Sequence, residues 1–226
     1  MRIAVTHMTP VFVLSDGYIA NGSEPWAVPL ESELPGISVH HHVDPETFQP
    51  FNRDPETLAR PWALPGTPGL EHRVGGLEHS NITGNISYEP LVHEEMVRLR
   101  AEKVARVARD YPPLEPYGDP SGALLVVGWG GTFGALRTAV NQARSRGLSV
   151  SHVHLRHLNP LPNELGDILQ RFDRVLVAEL NLGQLDMVLR AKYLRNTILY
   201  SKVQGQPFRS TEILDAIDRA LEGDPQ

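Results

Sequence analysis

The chain has 226 residues, enough for one domain of ordinary size, roughly 100–200 residues, with material to spare. With 41 % apolar and 21 % charged residues it lies outside the disordered class, and no apolar run reaches the roughly 18 residues that cross a bilayer. A net charge of −6 argues against nucleic acid as a partner, and the lack of any cysteine excludes disulfides and iron–sulfur clusters held by this chain's own thiolates.

Met1 opens into a sequence without a long apolar signal region, which points to a cytoplasmic protein, with no membrane partner. Ile3, Ala4 and Val5 read as the tail of a helix. It feeds Val11-Phe12-Val13-Leu14, a short β-branched run closed by Ser15-Asp16-Gly17, the pattern of a buried strand in a parallel sheet. Such a strand needs helices over both faces. None precedes it, so residues 1–22 read as the end of a larger domain that is incomplete here. Asp16, Asn21 and Glu24 follow the strand, where the carboxyl ends of parallel strands carry binding loops. The same residue types also serve turns and caps.

From Ser23 to about Glu89 the chain is rich in proline and glycine. Stretches such as Pro61-Trp62-Ala63-Leu64-Pro65-Gly66 cannot continue a helix or a central strand, so this region reads as a long, extended, mostly irregular arm. Trp26, Phe48, Phe51 and Trp62 give the arm aromatic surface to pack against a neighbour. Arg73 offers a planar fork that matches a carboxylate, although most such charges belong to surface pairs. A helix then begins near Pro90, carries Val97, Ala101, Val104 and Ala108 on one face, and stops at Tyr111-Pro112-Pro113.

From Ser121 strands and helices alternate. Leu124–Gly128, Val150–Leu155, Arg174–Leu180 and Thr197–Ser201 read as strands. Helices are marked by Phe133, Leu136, Val140 and Ala143, ending at Gly147; by Leu165, Ile168, Leu169 and Phe172, with Asn163 as cap; by 182–194; and by Ile213, Leu214, Ile217 and Leu221 behind Ser210. This pattern implies an α/β fold with a small, mostly parallel sheet.

The run Gly128-Trp129-Gly130-Gly131-Thr132-Phe133-Gly134 joins a strand to a helix. Its backbone amides, at Gly130, Gly131 and Thr132, suit an anion; its glycines equally suit a tight turn and close helix packing. It matches neither a dinucleotide fingerprint nor a Walker loop. His40-His41-His42 are consecutive and would alternate faces, while His152 and His154 share one; no set of three or four donors stands at metal spacing, so no metal site is assigned.

Several long runs resemble one family. They are Leu14-Ser15-Asp16-Gly17-Tyr18-Ile19-Ala20-Asn21-Gly22-Ser23-Glu24-Pro25-Trp26, then Arg53-Asp54-Pro55-Glu56-Thr57-Leu58-Ala59-Arg60-Pro61-Trp62 and Pro65-Gly66-Thr67-Pro68-Gly69-Leu70-Glu71-His72-Arg73. Leu155-Arg156-His157-Leu158-Asn159-Pro160, Asn181-Leu182-Gly183-Gln184-Leu185 and Lys202-Val203-Gln204-Gly205-Gln206-Pro207-Phe208 continue the match. Together they are similar to the alpha subunits of 2-oxoacid:ferredoxin oxidoreductases, in particular those acting on 2-oxoglutarate.

The resemblance implies three segments. Residues 1–22 would end a thiamine-pyrimidine-binding domain, 23–120 would be the arm and a connecting helix, and 121–226 a transketolase C-terminal-like α/β domain. It further implies oxidative decarboxylation of a 2-oxoacid to an acyl-CoA, with thiamine diphosphate, Mg2+ and an iron–sulfur cluster in the intact complex and none of them held by this chain alone. The partners it implies are a beta subunit and, through the complex, ferredoxin and coenzyme A. The family's activating glutamate and most substrate contacts would lie before Met1, so the resemblance assigns no catalytic residue here and implies an inactive isolated chain. The alternative is a stand-alone α/β module that uses the turn at 128–134 for an anion or a partner.

Overall fold

The computed structural model describes residues 1–34 and 36–223. Two five-residue helices open the chain, α1 (Arg2–Thr6) and α2 (Gly17–Asn21). Between them the expected buried strand is absent. Val11, Phe12, Val13 and Leu14 are extended but 42, 87, 90 and 68 % exposed, and the run pairs with no strand among the described residues. An apolar run becomes a buried strand only where a ladder partner receives it, and none does here.

Contacts divide the chain into two compact units, Met1–Val13 with Pro25–Tyr111, and Leu14–Glu24 with Pro112–Gln226. The division falls at other points than the compositional segments 1–22, 23–120 and 121–226, for specific reasons. In the first unit the Trp62 indole donates to the Val5 carbonyl at 3.1 Å, Lys103 Nζ donates to the Met8 carbonyl at 2.8 Å, and His7 Nε2 meets Asp110 Oδ2 at 2.8 Å. These bonds hold the first residues to the Pro/Gly-rich region, which is folded rather than an extended arm. Phe51, Leu58, Leu70, Met96 and Val107 are buried in it. Trp26, expected to pack, is 77 % exposed.

Regular structure in this unit is sparse. The two-residue strands β1 (His41–His42) and β2 (Trp62–Ala63) pair in parallel, and α3 (Pro90–Arg106) starts with proline in its first turn. The apolar face of α3 differs from the expected one: Val97 is 46 % exposed, whereas Met96 is 2 % exposed. Met96, Lys103 and, just past the helix end, Val107 form the inward stripe, while of the expected face Ala108 is buried and Val104 half-buried. A lysine in that stripe buries its aliphatic stem and sends its ammonium to a carbonyl, which conceals the face from a reading of apolar residues alone.

The second unit holds a four-stranded parallel sheet in the order β4-β3-β5-β6, made of β3 (Gly122–Trp129), β4 (Val150–Leu155), β5 (Phe172–Glu179) and β6 (Ile198–Ser201). The intervening helices are α4 (Phe133–Ser145), α5 (Leu165–Gln170), α6 (Gln184–Tyr193) and α7 (Ser210–Glu222). Leu124, Val126, Leu176 and Ala178 pack one face of the sheet against α4 and α7. Leu125, Val127, Val175 and Val177 pack the other against α5 and α6. Burial on both faces explains the continuous apolar runs of β3 and β5.

Helix ends differ in detail from expectation. Glu164, not Asn163, occupies the cap position of α5, and Phe172 opens β5 instead of closing α5. Ser210 is the first residue of α7, whose start is fixed by the Arg209 N–H donating to Glu212 Oε2 at 2.8 Å.

Candidate functional site at the carboxyl end of the sheet

The chain leaves β3 toward β4 on one side and β5 toward β6 on the other, so the boundary between β3 and β5 is the point where strand order reverses. Open α/β sheets bind ligands outside the carboxyl ends of strands at this point. Here β3 ends at Trp129 and β5 at Glu179. The Glu179 carboxylate, fully buried, accepts from Trp129 Nε1 at 3.2 Å, Asn181 Nδ2 at 2.9 Å, Leu185 N at 3.0 Å and Asp186 N at 2.8 Å. Asn181 Oδ1 accepts from Gly183 N at 2.7 Å and Gln184 N at 3.2 Å. The free amides at the start of α6, a natural anion position, are therefore filled by the chain's own carboxylate.

The glycine turn lies beside this network. A short 3-10 turn, Gly130–Thr132, joins β3 to α4, and Gly130 has φ +59, a conformation that favours glycine. A Cβ on Gly128 would stand 2.3 Å from Leu136 Cδ2, so a side chain at this position would press on the first turn of α4. A Cβ on Gly131 would stand 2.5 Å from Asp16 Oδ2. Two groups of sequence candidates thus meet at one place: Asp16 caps α2, accepting from Ile19 N at 2.9 Å through Oδ1, and turns its other oxygen toward Gly131. Thr132 Oγ1 donates to the Trp129 carbonyl at 2.8 Å. Asn21 is used within α2, donating to the Gly17 carbonyl at 2.7 Å, and Glu24 is exposed.

A histidine cluster covers the α4 side of β4. His152 and His154 face the same way with ring centroids 5.9 Å apart, and the Phe133 ring stands 6.0 Å from the first and 5.1 Å from the second. The Arg137 guanidinium sits over the Tyr117 ring, 3.4 Å from its centroid. Among the described residues neither nitrogen of His152 has a hydrogen-bond partner. Burial, reinforced by His154 and Arg137, pushes the His152 imidazole down to about 3, and burial pushes His154 down to about 4. Both are neutral acceptors or donors at neutral pH, unsuited to act as cations.

In the other unit Arg73 is exposed and does not line the cleft that its neighbours Glu71 and His72 help to form. That cleft, of about 400 Å³, is lined by Met8, Arg60, Trp62, Leu64 and Leu70 among others. Glu78 is held by Arg100 in two bonds of 2.9 and 3.1 Å and by His93 at 2.7 Å, and these partners, Arg100 foremost, lower its carboxyl to about 2.

Residues 123–213, most of the sheet unit, match the pyruvate:ferredoxin oxidoreductase core domain II. The 2-oxoglutarate oxidoreductase subunit KorA of Mycobacterium tuberculosis is 52 % identical over 99 % of this chain and 34 % of its own length. The chain is related to the alpha subunits of 2-oxoacid:ferredoxin oxidoreductases. Subunit alpha of 2-oxoacid:ferredoxin oxidoreductase 1 from Aeropyrum pernix is 29 % identical over 96 % of this chain and 35 % of that subunit. A solved 2-oxoglutarate:ferredoxin oxidoreductase from Magnetococcus marinus, with 2-oxoglutarate, coenzyme A and succinyl-CoA bound, superposes with a TM-score of 0.90 at 29 % identity, covering 97 % of this chain and 39 % of that one. The chain therefore spans about a third of the length of these two curated oxidoreductase subunits.

The donor set bears on the cofactors of such oxidoreductases. There is no cysteine to ligate an iron–sulfur cluster, and among the described residues no three His, Asp or Glu side chains converge as a cation site. The described residues fit neither a cluster nor a divalent cation. No helix among the described residues is long and apolar enough to cross a membrane. Glu179 escaped the sequence reading. A signal existed: an acidic residue ending an apolar strand, followed by Asn181 and Gly183 before a helix.

Proposed function

We propose that this chain is part of the alpha subunit of a cytoplasmic 2-oxoacid:ferredoxin oxidoreductase that acts on 2-oxoglutarate. The observation that carries the reading is 52 % identity to a 2-oxoglutarate oxidoreductase subunit, sustained over 99 % of the chain. In this reading the complete enzyme converts the 2-oxoacid oxidatively to an acyl-CoA and passes electrons to ferredoxin. Thiamine diphosphate, when bound with Mg2+ in the complete enzyme, supplies the electron sink for decarboxylation. The cluster belongs to a beta subunit, in keeping with a chain that has no thiolate.

The chain's own residues then act as scaffold. Glu179 clamps the start of α6 to the end of β3 through Trp129, and Gly128 lets α4 close on the sheet. This gives a rigid carboxyl edge on which a neighbouring subunit can be positioned. The Asp16 carboxylate turned toward Gly131 weighs against the reading of a stand-alone module that takes an anion at the turn, since a second negative charge there would be repelled.

The test is co-expression of the chain with the beta subunit of a 2-oxoglutarate:ferredoxin oxidoreductase, followed by size-exclusion chromatography and a thiamine-dependent assay with 2-oxoglutarate, coenzyme A and a ferredoxin. The expected result is co-elution with the beta subunit and no turnover by the chain alone. A chain that stays monomeric beside the beta subunit overturns the assignment, and turnover by the chain alone overturns the scaffold role.

A further inference from the structure

We propose that the outward face of α6 is an interface on which a second copy of this chain docks, helix against antiparallel helix. The inference does not depend on the proposed activity.

A helix that covers one face of a sheet needs a single apolar stripe, and α6 uses it inward, through Leu185 and Leu189. It carries a second stripe. Gln184, Met187, Val188 and Ala191 stand at i, i+3, i+4 and i+7, the spacing of one helix face, and all four are exposed. Met187 is 64 % and Val188 46 % exposed, while Leu182 and Leu194, one before and one after the helix, reach 79 and 91 %. The other long helices of the same unit turn polar residues outward. α4 exposes Thr138, Asn141, Gln142 and Ser145, and α7 exposes Thr211, Asp215, Arg219 and Glu222. The apolar outer face is peculiar to α6 among these three.

The order of residues along this face says what covers it, because the stripe is its own complement. With a two-fold axis between Met187 and Val188, antiparallel pairing sets Met187 against Val188 of the second copy. Gln184 then meets the small Ala191, and Leu182 comes level with Leu194 at the other end. Each long apolar chain is matched with an apolar chain, the self-complementarity that a two-fold dimer requires and an unrelated partner does not. At roughly 100 Å² of apolar surface for each buried Leu, Met or Val side chain, these four give about 400 Å² per copy. A polar rim of Gln184, Arg190 and Lys192 brings the face toward the roughly 800 Å² that each partner of a standard interface buries.

Charge does not oppose the pairing. Asp186, the acidic residue of α6, is buried and holds Arg190 at 2.8 Å. The two Lys192 residues fall at opposite ends of the helix pair, roughly 13 Å apart along the axis and beyond the Debye length of about 8 Å in physiological salt.

Sedimentation velocity of the full chain from about 1 to about 200 μM tests the interface. The expected result is a species of twice the chain mass that grows with concentration, and slower hydrogen exchange in residues 182–194 as it forms. Met187→Glu and Val188→Lys, both at exposed positions, should each weaken the dimer at least tenfold, because each places an unpaired charge at the axis. An equimolar mixture of the two variants should dimerise again, since the introduced carboxylate then faces the introduced ammonium. Thr211→Glu, on the outer face of α7, should change nothing. A chain that stays monomeric throughout, a dimer unmoved within twofold by both variants, or variants that fail to restore each other overturns the interface. A monomeric chain whose residues 182–194 become protected only when a beta subunit of a 2-oxoglutarate:ferredoxin oxidoreductase is added also overturns it and gives the face to that subunit.

Discussion

Trp129 and Glu179, the last residues of two adjacent parallel strands, are joined by an indole N–H donating to a fully buried carboxylate at 3.2 Å. The same carboxylate accepts two backbone N–H groups that open α6. Removing it leaves those donors buried and unpaired, at about 1–3 kcal/mol for each. Glu179→Ala is therefore expected to destabilise the chain by about 3 kcal/mol, read as a lower urea midpoint with an unchanged slope. Glu179→Gln keeps the shape but presents an NH2 to donors, and should fall between. A loss below about 1 kcal/mol in the alanine variant would show that water replaces the carboxylate and that the clamp is dispensable.

Two glycines close together in sequence carry opposite expectations. A Cβ at Gly128 meets Leu136 Cδ2 at 2.3 Å and Thr132 Oγ1 at 2.7 Å, so Gly128→Ala should cost about 1–3 kcal/mol by overpacking. Gly134, in the first turn of α4, has nothing within 4 Å of the same position, so Gly134→Ala should stabilise by about 0.5 kcal/mol. Thermal unfolding of both variants checks the pair. Equal effects would remove the argument that close helix packing selects Gly128.

The approach of Asp16 to Gly131 predicts an energetic coupling. Gly131→Ala drives the Asp16 carboxylate away, because Cβ and Oδ2 would stand 2.5 Å apart. In an Asp16→Ala background the three atoms nearest the added Cβ are gone. A double-mutant cycle should return a coupling of about 0.5–1.5 kcal/mol, read from chemical denaturation. Additive effects would separate the two residues.

Much of the sheet unit was legible in sequence, and the reason is burial. The expected strand Val150–Leu155 has the observed bounds, and Leu124–Gly128 lies within β3, because strands covered on both faces need unbroken apolar runs. Val11–Leu14 has the same composition and is no strand, since composition cannot supply a ladder partner. The face of α3 was misread because Lys103 belongs to its inward stripe. The approach of Arg53 and Arg60 to one ring escaped for a similar reason: they are seven residues apart with an irregular segment between, and only folding places both against Phe51. The exposed Arg73 drew attention instead.

The two neutral histidines of β4 predict loss of stability in mild acid. The unfolded imidazole titrates at about 6.5, whereas folded His152 is pushed down to about 3 and His154 to about 4. Between these values the unfolded chain binds protons that the folded chain refuses, so stability is complete above about pH 6.5 and falls as the pH drops. His152 alone should remove about 2 kcal/mol between pH 7.5 and pH 5. His154, partly exposed, and His157, lowered by burial, add smaller terms of the same sign. Glu78 works in another window: its carboxyl, lowered to about 2, contributes stability above its ordinary 4.5 and loses it only below. His152→Leu, set against the Phe133 ring, should therefore keep stability near that of the unaltered chain at pH 7.5 and flatten its fall toward pH 5 by about 2 kcal/mol. Urea titrations at the two pH values measure this, and an unchanged fall in the variant would move the acid sensitivity to other groups.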